Sequence, residues 1–286
     1  MTAAEPVLPA DLRSRVLDAA RRARAAGETV PAVPAISPVD AFARAAGALH
    51  RTLRALDAAD WRRPALRDLN VHGLVGHLTG VEEDVQRCLA GDPAVAAAEH
   101  VASTQAAASR QAGQRPAQTI AEWRRAVSRT LALLADRGNL GAWVAVYGQR
   151  LPLHALLVVR AFELWTHESD IRRATGRPLT VPDPSTLRLM TTLVAELLPG
   201  AAGLAGLSGP ARLHLVLTGP GGGTWDLEIA GDGSPKPAEV GIVTDATAFC
   251  RLAANRVTPA ELAPQISGDS EQAAGVLAAT SLLALD

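Results

Sequence analysis

Sulfur is scarce in this 286-residue chain, where Cys88 and Cys250 are the only cysteines. Two cysteines allow at most one bridge, which excludes a disulfide framework. Without a CxxC pair they also exclude a cysteine-only zinc site. Lysine is scarcer still: Lys236 stands alone among 28 basic residues, the other 27 being arginine. With the abundant alanine, this is the composition expected of a GC-rich coding sequence. Neither sign of charge dominates, since 29 acidic residues leave a formal net charge of -1. Binding nucleic acid by counterion release needs a concentrated basic surface, so a nucleic-acid partner is not expected. No stretch approaches the roughly 18–20 uninterrupted apolar residues of a membrane span, and the start lacks a basic-then-apolar signal. These absences predict a soluble cytoplasmic protein without a membrane partner. Hydrophobic residues make up 48% of the chain, enough for a sizeable core.

At about 150 residues per domain, the length suits two domains or one large one. A short helical pattern from Asp11 to about Ala26, followed by Pro-punctuated chain, reads as an N-terminal arm over 1–36. Ser37-Pro38-Val39-Asp40 is a strong helix start, and the first helix should run to about Leu56. A second begins near Asn70, carries Leu74, His77, Leu78, Val81 and Val85 on one face, and ends at Gly91. Thr119-Ile120-Ala121-Glu122 reads as a capping box opening a third helix through Trp123, Val127, Leu131 and Leu134. The fourth spans roughly Pro152 to Thr175 before Gly176 and Pro178. Four long amphipathic helices predict a four-helix bundle over 37–198, with a fifth helix from about Ser185 to Leu198 leading out.

After a glycine- and alanine-rich junction, Pro199 to Pro210, the period shifts toward two. Leu213, Leu215 and Leu217 alternate, and the run Gly219-Pro220-Gly221-Gly222-Gly223 leads into Thr224 to Ile229. That glycine run lies between two strands, so it reads as a hairpin turn and not as a dinucleotide fingerprint. A third strand over Val240 to Val243 and helices over Ala246–Ala254 and Ser270–Leu283 complete a small α+β domain over 199–286. The predicted fold class is α+β.

The sharpest chemical signal is on the fourth helix, where Arg160, Glu163, His167 and Asp170 follow one another at steps of three, four and three. These steps place the side chains on one stripe beside apolar Leu157, Ala161, Leu164 and Trp165. Glu163 and His167, one turn apart, could bind the same ion, and His77 should point inward from the second helix. HExxH is absent, because Ile171 stands where the second histidine would be needed. Plainer readings stay open: an inward histidine is often a hydrogen-bonded core residue, and Arg160 with Glu163 could be a local salt bridge. Among the other histidines, His72 and His154 could sit near the site, His50 and His100 read as surface or helix-end residues, and His214 should face solvent. Cys88 lies about 16 Å beyond His77 along a continuous helix, too far to share a metal. Cys250 sits in an apolar helix pattern, so both cysteines read as buried structural thiols.

At these residues the sequence resembles the mycothiol-dependent maleylpyruvate isomerase family, within the wider DinB-like metal-binding bundles. The likeness rests on Val75-Gly76-His77-Leu78, on the run from Arg160 to Asp170, and on Phe249 to Arg256 followed by Ile266-Ser267-Gly268-Asp269. It implies a DinB-like bundle followed by a sterol-carrier-like tail. It also implies that His77, Glu163 and His167 hold a divalent metal, most often zinc. Asp170 would support a ligand or line the pocket, and Arg256 would anchor a substrate carboxylate. The family commonly has Gly-Arg where this chain has Asn255-Arg256.

The function so implied is a metal-dependent, mycothiol-using isomerase or thiol transferase acting on a small, carboxylate-bearing electrophile. Mycothiol would bring the sulfur, with His72 and Asp170 as candidate bases. A mycothiol S-transferase for xenobiotic or biosynthetic intermediates is one alternative; a non-catalytic small-molecule-binding protein is another. A monomer or small homo-oligomer is expected.

Overall fold

The structure, a computed structural model, describes residues 33–207, 211–229 and 238–284. The helical pattern expected between Asp11 and Ala26 lies outside these residues. Helix α1 (Pro38–Arg54) starts as its sequence dictates: the Ser37 hydroxyl accepts the Asp40 N–H, Asp40 accepts the Ser37 N–H, and Pro38 takes the first position. A short hairpin, β1 (Pro64–Leu66) with β2 (Leu69–Asn70), delivers the chain into α2 (Val71–Leu89), where the Asn70 side chain accepts the Gly73 N–H. The small helix α3 (Pro93–Ala96) and then α4 (His100–Gln111) follow.

Helix α5 (Pro116–Ala135) begins one turn before the expected Thr119 start, with Arg115 at its cap. Thr119 is no cap: it is fully buried, and its hydroxyl bonds His72 Nε2 at 2.6 Å. A second hairpin, β3 (Trp143–Val146) with β4 (Gln149–Pro152), feeds α6 (Leu153–Ala174). Helices α1, α2, α5 and α6 are the four expected from periodicity.

Helix α7 (Pro184–Leu204) continues past Pro199, where the sequence suggested an end at Leu198. Proline removes one helical donor, but Ala201 and Ala202 on the following turn are buried, and that burial outweighs the lost bond. The helix stops instead at Gly206, whose φ of 69° is left-handed. Among the described residues α7 is the one helix long and apolar enough to cross a membrane, and its buried face packs on α6 and the tail.

The tail contains a four-stranded sheet from β5 (Ala211–Thr218), β6 (Gly223–Ile229), β7 (Ala238–Asp245) and β8 (Gln265–Gly268), in the order β6-β5-β7-β8. Strands β5 and β7 run parallel and the other pairs antiparallel. The glycine run is the turn of the β5–β6 hairpin, with Gly219 and Gly221 at positive φ. Helices α8 (Ala246–Ala253), α9 (Pro259–Leu262) and α10 (Ser270–Ser281) complete it. Leu213, Leu215 and Ile242 of the sheet belong to the same apolar cluster as Phe42, Leu74 and Leu164 of the bundle, so bundle and tail share a core. Cys250 is buried in this core and Cys88 in a second apolar cluster with Val85, Leu89 and Leu153; both are free thiols, and burial pushes both above their ordinary pKa.

Helix α4 lies against α2 through glycine. A Cβ added at Gly76 would meet the Ala108 Cα at 2.7 Å, and one at Gly80 would meet the Ala107 Cβ at 3.0 Å. This approach carries Thr104 and His100 to the side of His77. Gly76→Ala should therefore force the helices apart and destabilise the protein by about 1–3 kcal/mol. Gly113→Ala, whose Cβ would meet nothing within 4 Å, is the control. Urea denaturation of both variants measures the difference, and equal midpoints would show that the close approach is not needed.

Candidate metal centre

Helix α6 places Arg160, Glu163, His167 and Asp170 on one stripe, and the stripe faces α2 and α4. Arg160, 2% exposed, donates to Glu163 Oε2 on its own helix and to Glu82 Oε1 of α2 at 2.8 Å. Glu82 is held in turn by the Thr130 hydroxyl of α5. Burial by itself would raise the pKa of Glu163. The Arg160 guanidinium outweighs it, aided by His100 and His77, and holds the carboxyl well below the usual carboxylate range.

The other oxygen of Glu163 faces three imidazoles. Nε2 of His77 lies 3.4 Å from Oε1, that of His100 3.6 Å, and that of His167 3.9 Å. All three histidines are buried. None of the three Nε2 atoms has a hydrogen-bond partner, and neither has Glu163 Oε1.

The far side of each ring indicates which nitrogen carries the proton. The Thr104 hydroxyl points at the backbone carbonyls of His100 and Val101, so toward His77 Nδ1, 2.7 Å away, it acts as acceptor. The Asp170 carboxylate accepts from His167 Nδ1 at 3.1 Å. Burial lowers the pKa of His77 and keeps that ring neutral. Each ring is thus held through its Nδ1, and each Nε2 is turned toward the same Glu163 oxygen. Ligand atoms of His77, Glu163 and His167 converge within 4.8 Å of one another. A cation resolves such an arrangement, so the residues present fit a divalent metal.

Asp170 is itself gripped. Arg256 donates from Nε and from Nη2 to its two oxygens, each at 2.8 Å. Burial would raise the Asp170 pKa, but the hydrogen bond from His167 and the Arg256 pair outweigh it and lower it. Asn255 has a φ of 53°, a left-handed conformation that asparagine tolerates better than most residues. It closes the end of α8 and aims Arg256 at Asp170.

Residues 42–172 match the family model of the mycothiol maleylpyruvate isomerase N-terminal domain. The helical bundle belongs to this family. The fold of the chain is similar to a crystal structure of the mycothiol-dependent maleylpyruvate isomerase, with a TM-score of 0.56 at 16% identity over 82% of this chain and 92% of that one. A point mutant of that isomerase gives a TM-score of 0.54 at 16% identity, over 77% and 88% of the two chains. No functionally curated protein matches the chain.

The structure also separates residues that the sequence left together. Arg256, expected to anchor a substrate carboxylate, has its planar fork committed to Asp170. His72 bonds Thr119 and lies edge-on to Trp61, and His154 is exposed on the wall of a cavity of about 680 Å³ that Glu163 and His167 also line. His214 is exposed and bonds Asp226.

His100 is the residue whose role sequence reasoning missed. Of the surface and helix-end positions expected for it, it takes the helix end, but it is 6% exposed and reaches Glu163. It opens α4, whose alanine-rich sequence carries little apolar periodicity; the signal available was Glu99, which caps the following N–H groups. Tyr147 was missed as well. It stands at a left-handed φ of 52° in the β3–β4 turn, its hydroxyl donates to Asp84 at 2.9 Å, and its ring meets that of His100.

The Arg160 network yields a test of stability. Arg160→Met leaves Glu82 and Glu163 buried without their cation, and should cost about 3–5 kcal/mol in chemical denaturation. Arg160→Lys keeps the charge but cannot span both carboxylates, and should cost less. A neutral Arg160→Met would show that one of the two carboxyls is protonated.

Proposed function

We propose that the chain is a metal-dependent enzyme that uses mycothiol to attack an electrophilic carbon, by isomerisation or by thiol transfer. The observation that carries this reading is the convergence of buried donors without hydrogen-bond partners from His77, Glu163 and His167. The membership of the bundle in a family named for mycothiol supports the choice of thiol. Two imidazoles and a carboxylate form a donor set suited to zinc, and three protein ligands leave a position open. A divalent metal bound there would act as a Lewis acid that lowers the pKa of a coordinated thiol, so that thiolate is available near neutral pH.

The chain's own part is to hold the donors and exclude water. Asp170 fixes the tautomer and tilt of His167, and Arg256 fixes Asp170. Thr104 does the same for His77 from α4. Arg160 keeps Glu163 ionised. His100, whose two ring nitrogens have no hydrogen-bond partner, faces the cavity beside Glu163 and is available to hydrogen-bond a group bound there.

The reacting sulfur loses its proton and forms a bond to the electrophilic carbon. In isomerisation the adduct rotates, the C–S bond breaks and the thiol is recovered. In transfer the neighbouring carbon takes up a proton and the thioether is released. Neither Cys88 nor Cys250 lines this cavity, and both thiols are buried.

Elemental analysis by mass spectrometry tests the reading. After dialysis against zinc, wild type should retain about one ion per chain. His167→Ala should keep its circular dichroism, retain little metal, and lose the rise in melting temperature that mycothiol gives wild type. A wild-type protein that holds no metal under these conditions defeats the catalytic reading and leaves the small-molecule-binding protein in its place.

A further inference from the structure

Above the donor cluster lies a cavity of about 680 Å³, with His100, Arg160, Glu163 and His167 among the residues of its inner wall. The remaining wall is largely apolar. Leu193, Val194, Leu197 and Leu204 of α7 line it from one side, and Leu282 and Leu283 from the C-terminal segment. Four of the most exposed large apolar side chains of the described residues belong to this wall: Trp143 at 63%, Leu197 at 45%, Leu204 at 90% and Leu282 at 61%. Single exposed apolar residues are ordinary, but several around one opening form a patch that marks a ligand.

The cationic groups point the same way. Arg160 bridges Glu82 and Glu163, and Arg256 clamps Asp170 with both arms of its fork. Arg150 lies over the exposed Trp143 ring at the rim, 5.7 Å from its centre. A carboxylate entering the inner cavity would have to shed water beside ionised Glu163 and compete for guanidinium groups already bonded. The volume falls within the range of about 300–1,000 Å³ typical of pockets for drug-sized ligands.

We infer that the site takes an uncharged, predominantly apolar electrophile, its reactive carbon beside the donor cluster and its body along the α7 and C-terminal wall. The inference rests on the proposed thiol chemistry for the word electrophile; the apolar binding does not depend on it. It narrows the substrate to the class of medium-chain unsaturated carbonyl compounds and away from small dicarboxylates.

The test uses the full chain, with and without zinc, and the neutral dye N-phenylnaphthylamine, which fluoresces in apolar surroundings. Wild type should bind the dye saturably, nonenal should displace it, and maleate should not. Gly200 lines the cavity, and a Cβ there would meet nothing within 4 Å. Gly200→Trp should therefore fill the space and weaken dye binding roughly tenfold or more, with zinc content unchanged. Leu197→Asp, on the exposed rim, is the second variant should the tryptophan disturb folding. Displacement by maleate at least as effective as by nonenal, absence of saturable dye binding, or unaltered binding in a folded variant each overturns the inference. Dye binding by a wild type that holds no zinc would defeat the thiol chemistry alone, and zinc retention without dye binding would defeat the apolar substrate alone.

Discussion

The Glu163 carboxylate is nearly buried and ionised, and it remains so because Arg160 lies against one oxygen while three imidazoles face the other. The rest of the centre is arranged around that charge. Arg160 cannot leave Glu163 without stranding Glu82, and Glu82 ties α6 to α2 and, through Thr130, to α5. Burying such a network confers little net stability, since desolvation consumes most of the Coulombic gain. What it does confer is registry: the helices that carry His77 and Glu163 can slide past each other only by breaking a buried ion pair.

His77 is oriented by a partner from another helix, while Glu163 and His167 are oriented by Arg160 and Asp170 of their own helix, which are held from elsewhere in turn. Thr104 reaches His77 because Gly76 and Gly80 let α4 approach, and Asp170 is set by an arginine from the tail. The tail therefore takes part in the centre without placing a donor in it. Rigid support of this kind is what keeps a site from loosening, because a ligand whose own rotamer is fixed loses little entropy on binding.

Much of this was legible in the sequence, for physical reasons that can be named. The four bundle helices follow from apolar periodicity and from caps such as Ser37 and Asn70. The stripe from Arg160 to Asp170 follows from helical spacing, as does the inward face of His77. The alternation of Leu213, Leu215 and Leu217 marks the first strand of the sheet. Helix α4 was not legible, because it buries alanine and threonine where periodicity looks for large apolar residues. His100 was lost with it. Thr119 misled for the opposite reason: serine- and threonine-type capping signals are local, and here a tertiary partner, His72, claims the hydroxyl. Pro199 misled because local punctuation yields to the burial of the turn that follows. The engagement of Arg256 by Asp170 joins residues 86 positions apart, which no local pattern encodes.

The burial of the two thiols has a further consequence. On the reading proposed above, the chain encloses a compound that alkylates sulfur, and a protein with that task risks consuming itself. Cys88 and Cys250 are both buried, and burial keeps both as thiols, the poorly nucleophilic form. The chain's one lysine amine, Lys236, adds almost nothing to its stock of soft nucleophiles, and arginine, which fills the other basic positions, stays protonated. Such a composition amounts to chemical self-protection: the sulfur the electrophile meets is the one delivered to it.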